Sequence, residues 1–227
     1  MSDIASEENV PGYGRITAWL VLAGALAALS YAYTFSVDEP EPRDLLFRYS
    51  TAVASVASYG LLLVPLLLIA RGIDARNLFG LRRPKSWQTA LWLGAAILVA
   101  DFAVAFLYDW TLGPFDEGAV PEFWDPSRVP QFAANFVVVA GLAPVFEEFM
   151  YRGVGYGLLE RFGTATAIVV TGVLFGLAHG YVYVLPLFIS YGLMLGWLRS
   201  RTGSIYPGMV VHGATNAAAM TLTVVLA

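Results

Sequence analysis

Six polar side chains stand where the surrounding sequence is apolar: Glu147, Glu148 and Arg152 in one segment, His179 in a second, His212 and Asn216 in a third. A charge near the bilayer centre costs at least about 2.5–3.5 kcal/mol on insertion scales, so such a cluster marks a functional site by default. Residues four apart share a helix face, so Glu148 can pair with Arg152 while Glu147, about 100° round, points elsewhere. A paired Glu148 tolerates burial, and Glu147 is left free to serve as a general base. His212 and Asn216 are likewise four apart, and an asparagine amide can donate to a developing oxyanion in a water-poor pocket. Carboxylate, histidine and amide together form a set for hydrolysis by an activated water. The competing reading is a structural ion-pair cluster at a helix end, with each histidine satisfied in the core.

The rest of the chain must hold these groups in lipid. Its 227 residues are 58% hydrophobic and 13% charged, whereas globular chains carry about 25% charged residues. That composition selects an all-α polytopic membrane bundle. A net charge of −4 without any basic stripe argues against a nucleic-acid partner. The absence of cysteine excludes disulfides, thiolate metal sites and a cysteine nucleophile. Asp3, Glu7 and Glu8 stand where a signal peptide would be basic, so the first apolar run is expected to remain as a span.

A span needs about 20 apolar residues, and about seven candidates follow in order: 16–35, 49–70, 88–108, 131–160, 164–180, 184–198 and 205–226. Pro65 should kink the second without ending it. Between spans two and three, Arg71, Arg76, Arg82, Arg83 and Lys85 outnumber Asp74, which places that connection in the cytoplasm. The same stretch reads either as a solvated topology signal or as a short interfacial helix against anionic lipid. The connection 109–130 carries Asp109, Asp116, Glu117, Glu122 and Asp125 against Arg128 and reads as exterior. Alternation then puts the N-terminus in the cytoplasm and the C-terminus outside. The chain is one membrane-embedded domain, 1–227, with three spans in 1–130 and the site among the four spans of 131–227. Small-xxx-small spacing at Gly153/Gly157, Gly172/Gly176/Gly180 and Gly192/Gly196 should let those helices approach closely.

The motifs EExxxR at 147–152, FxxxH at 175–179 and HxxxN at 212–216 lie in that order on successive C-terminal helices. Together they resemble the CPBP intramembrane proteases, prokaryotic relatives of the CAAX prenyl endopeptidase Rce1, also called the abortive-infection family. The resemblance covers the C-terminal half and implies an intramembrane endopeptidase acting on a membrane-associated peptide or protein. It implies that Glu147 is the catalytic glutamate, with His179 its partner in activating water and His212 and Asn216 the oxyanion pair. Glu148 and Arg152 match the remaining motif positions as an orienting ion pair. Glu147, His179 and His212 could also offer two histidines and a carboxylate to Zn²⁺, with an open position for water. The pairing of His212 with Asn216 on one face favours a metal-free site. Two rivals stand beside this reading: a non-catalytic membrane protein, such as a bacteriocin self-immunity factor or partner-binding scaffold, and a proton-coupled transporter, which the lack of inverted repeats disfavours.

Overall fold

The computed structural model describes residues 12–36, 42, 44–113 and 124–226, and every regular element among them is helical. Seven long helical segments follow one another: α1 (Tyr13–Ser36), α2 (Tyr49–Ala70), α3 (Trp87–Leu112), α4 (Pro126–Phe162), α5 (Thr164–Ala178), α6 (Leu185–Thr202) and α7 (Tyr206–Leu226). They coincide with the seven stretches expected from hydropathy, and α2 runs unbroken through Pro65.

Five of the seven, α1 to α4 and α7, are long and apolar enough to cross a bilayer. The two exceptions sit side by side. Helix α5 has 15 residues, about 22 Å at 1.5 Å per residue, short of a hydrocarbon core of about 30 Å. Helix α6 has the length, at 18 residues, but ends in Arg199 and Arg201. These two helices make the most extensive contact of any pair, because Gly172 meets the backbone of Gly192 and Gly176 that of Ile189 with no Cβ between them. Acidic residues expected in the exterior connection, Asp116, Glu117 and Glu122, lie outside the described residues.

The basic connection after α2 differs from the solvated signal expected of it. Asp74 caps the single turn Ala75–Leu78, accepting from the backbone of Arg76 and Asn77, and Leu78 and Phe79 are then buried in the core. Gly153 and Gly157 of α4 receive them: a Cβ at Gly153 would collide with the Phe79 ring, and one at Gly157 with Leu78. The small residues of α4 therefore accommodate a loop instead of a neighbouring span. The basic side chains of that loop face outward, as do Asp74 and Asn77.

At the opposite end, Arg128 Nη1 meets Asp44 at 2.9 Å and Asn135 donates to the carbonyls of Leu46 and Arg48. These bonds tie the start of α2 to the start of α4. The Arg48 guanidinium, then that of Arg128, holds the Asp44 carboxyl below the usual carboxylate range.

Candidate active site

Helix α4 carries the acidic pair and is not α-helical throughout. Val138–Leu142 and Glu148–Gly155 are π-helical, separated by the α-helical turn Ala143–Glu147. Such widened turns concentrate at functional sites, because they shift the backbone bonding by one residue and re-aim side chains. Proline explains the first. The Ala143 N–H bonds to the Val138 carbonyl, five residues back, and the next bond in that register would run from residue 144 to Val139. Residue 144 is proline and has no N–H. The Val139 carbonyl accepts instead from Asn216 Nδ2 of α7 at 2.9 Å. Gly213, one turn earlier on α7, lies so close that a Cβ would stand 2.7 Å from the Ala140 carbonyl oxygen.

The second π stretch is held in the same manner by side chains from other helices. Trp19 Nε1 of α1 donates to the Met150 carbonyl at 3.0 Å, and Arg199 Nε of α6 to the Arg152 carbonyl at 3.2 Å. The Trp19 ring occupies the space where Gly155 lacks a Cβ.

A double-mutant cycle tests the proline argument. Asn216→Ala alone should destabilise the protein by about 1–3 kcal/mol by orphaning a carbonyl. In a Pro144→Ala background, where the restored N–H can serve Val139, the same substitution should cost under about 1 kcal/mol. Simple additivity of the two changes in unfolding free energy would show that the carbonyl is not what Asn216 serves.

Glu148 and Arg152 are fully buried, with Arg152 Nη1 3.1 Å from Glu148 Oε1. Arg152 Nη2 also donates to the Gly192 carbonyl at 2.8 Å, and its guanidinium lies 4.4 Å from the Phe175 ring centroid. His212 stands between the two glutamates, Nε2 at 3.7 Å from Glu147 and Nδ1 at 3.5 Å from Glu148. Either ring nitrogen, when it carries a proton, thus faces a carboxylate. Helix α7 reaches this position because Gly208 has no side chain; a Cβ there would fall on Glu148 Oε2. Gly208→Ala should therefore destabilise the protein by about 1–3 kcal/mol through overpacking, read as a lower unfolding midpoint in detergent. An unchanged midpoint would show that α7 can retreat from Glu148 without cost.

His179 follows the last residue of α5, where the chain turns at Gly180 with φ +76°. A Cβ at Gly180 would press into Ser30 of α1, whose hydroxyl donates to the Ala178 carbonyl at 2.7 Å. His179 Nδ1 lies 2.8 Å from the Phe175 carbonyl. A carbonyl can only accept, so Nδ1 carries the proton and the neutral ring keeps its lone pair on Nε2. Phe188 stacks on the imidazole at 4.0 Å between centroids. Phe175 is the hub: its ring contacts His179, His212, Tyr151 and Tyr191, with Arg152 over it. The phenylalanine of FxxxH thereby spaces both histidines from the buried arginine.

Glu147 and His179 line one cavity of about 190 Å³, which also takes Tyr59 of α2 and Ser30 of α1 into its wall. Glu147 is 19% exposed there, and its Oε2 has no hydrogen-bond partner within the protein. Glu147, Glu148, Arg152 and His212 thus form one contact group, His179 joins it across the cavity, and Asn216 lies one turn further along α7 against Val139. Among the described residues no three His, Cys, Asp or Glu side chains are grouped to hold a metal ion.

Asp101, near the middle of α3, has no role in the sequence reading. It is partly buried and coupled electrostatically to His212 and to Tyr191. The Tyr191 hydroxyl in turn donates to Thr215 Oγ1 at 3.0 Å, and its ring meets the His212 ring at 5.5 Å. A carboxylate inside a 26-residue apolar helix was the available signal.

Residues 129–218 match the family model described as "Type II CAAX prenyl endopeptidase Rce1-like". The chain is 25% identical over 191 residues, 83% of its own length and 78% of the relative's, to "Putative membrane peptidase YdiL" of Bacillus subtilis (strain 168). No solved structure gives a significant match. All three motifs fall within the matched segment, and this match and the similar relative together support the CPBP family that the motifs resemble.

Proposed function

We propose that the protein is an intramembrane endopeptidase that hydrolyses a peptide bond with a water activated by Glu147 and His179. The observation that carries this reading is the shared cavity, whose wall holds both the Glu147 carboxylate and an imidazole, His179, with its lone pair on Nε2. A water between them gives its proton to Glu147 while His179 Nε2 orients it. The water oxygen bonds to the scissile carbonyl carbon and the carbonyl electrons move onto oxygen. His212 and the second N–H of Asn216 are the donors assigned to that oxyanion. Its collapse breaks the C–N bond, and Glu147 returns the proton to the leaving amine. Glu148 and Arg152 fix His212 and the π turn and take no part in the proton transfers. The mechanism is metal-free.

The substrate is membrane-borne, since the cavity wall is built from lipid-spanning helices. A prenylated chain is the substrate class named by the matched family. With seven helices the termini lie on opposite sides, the N-terminus cytoplasmic by the basic connection after α2.

The test compares N-terminal peptides of membrane proteins from cells expressing wild type, Glu147→Ala and His179→Ala, each variant shown to be folded. A set of fragments produced by wild type alone is expected. Fragments produced equally by all three would sink the assignment. A cellular phenotype fully rescued by both variants would favour a non-catalytic scaffold or self-immunity factor.

A further inference from the structure

A second cavity, of about 210 Å³, lies between α3 and α7, and Glu147 is not among its lining residues. Its walls are apolar, with Trp87, Ala95 and Leu98 on α3 facing Pro207, Val210 and Ala214 on α7. Its floor is closed where the helices touch: a Cβ on Gly94 would stand 2.7 Å from Val211 Cγ2. Small residues thus sink a furrow between ridges such as Leu91 and Trp92, which are 65% and 73% exposed. Val211, in the floor, is the neighbour of His212.

The furrow ends at residues 87 and 207, and the basic connection is fastened across that end. Arg82 Nε donates to the Gly203 carbonyl at 2.8 Å, the Lys85 N–H to the Thr202 carbonyl at 3.3 Å and the Ile205 N–H to the Gly80 carbonyl at 3.3 Å. These bonds fix the backbone of 80–85 beside the start of α7. Arg83 and Lys85 are exposed there, and neither has a salt-bridge partner among the described residues.

We propose that this furrow binds an anionic phospholipid, with its phosphate at Arg83 and Lys85 and one acyl chain lying along Trp87, Gly94, Ala95 and Ala214. Two cations at the interfacial end of an apolar furrow match a ligand that joins an anion to a hydrocarbon chain. A soluble anion would leave the furrow unused, and an unmodified apolar segment would leave the cations unused. The lipid chain would lie on Val211. The site is independent of the proposed proteolysis.

Trp87 supplies the readout. Its fluorescence, taken as the difference between wild type and Trp87→Phe, is followed in phosphatidylcholine vesicles containing a small fraction of either phosphatidylglycerol or phosphatidylcholine with brominated acyl chains. Quenching by the brominated phosphatidylglycerol is expected at about tenfold lower mole fraction, the scale of two partly screened interfacial cations. Arg83→Gln with Lys85→Gln should remove that preference, while Ala95→Leu, which fills the furrow on a lipid-facing wall, should weaken quenching by both lipids. Equal quenching by the two lipids in wild type would overturn the proposal, as would a preference that survives the double variant or is abolished by inorganic phosphate. A furrow indifferent to both phospholipids but protected from quenching by a farnesylated peptide would overturn it in favour of the substrate's own lipid.

Discussion

Arg152→Met should lower the unfolding midpoint in detergent by roughly 6–20 °C, the shift expected of about 3–5 kcal/mol in a chain of this size. Arg152 and Glu148 are both 0% exposed. Removing the guanidinium strands a carboxylate in the core, where His212 Nδ1 at 3.5 Å is the other group within ion-pair distance. It also removes the bond to the Gly192 carbonyl, at the point where α6 presses on α5 without intervening side chains. A partner substitution separates charge from volume. Adding Glu148→Gln to Arg152→Met removes the stranded charge, so the double variant should recover much of the loss and be more stable than Arg152→Met alone. A wild-type midpoint for Arg152→Met would show that the pair is not structural, and equal losses in the single and double variants would assign the effect to packing against Phe175.

How far these features are legible in the sequence depends on whether they are set locally. Helix positions are, because a span must be about 20 apolar residues long and the connections concentrate the charge. The Glu148–Arg152 pair is too, because four-residue spacing on a helical segment brings side chains together whatever the rest of the fold does. The π turns are not, although the cause of the first is written three residues before Glu147: Pro144 removes one N–H, and only the arrival of Asn216 from α7 shows which carbonyl that leaves open. The same limit hid the partners of the α4 glycines, since small-xxx-small spacing announces a close approach without saying what approaches. Here it is Leu78 and Phe79 from a loop that charge alone marks as solvated. Asp101 belongs to no spaced motif, so its charge within an apolar helix names no partner. Its connection to His212 exists only through the packing of α3 against α6 and α7.

The acidic pair itself yields the sharpest contrast, because two adjacent glutamates occupy different environments. Glu147 lines the cavity, 19% exposed and without a hydrogen bond to its Oε2, and Glu148 lies buried against Arg152 and His212. Glu147→Gln keeps size and hydrogen-bonding capacity but removes the base, so cleavage of a substrate identified from the fragment comparison should fall about 10²–10⁴-fold. The unfolding midpoint should move little, because the side chain is partly exposed and has no salt bridge to an arginine. Glu148→Gln should behave oppositely in its leading effect. It leaves Arg152 charged and buried without a carboxylate, so the midpoint should drop by several degrees, and activity should fall only as far as His212 and the π turn lose their setting. Measuring both quantities on both variants makes the assignment strict. A Glu147→Gln protein that unfolds early but cleaves normally, beside a stable and inactive Glu148→Gln protein, would mean that the two carboxylates have exchanged roles. That outcome would move the activated water from the Glu147–His179 cavity to the buried side of His212.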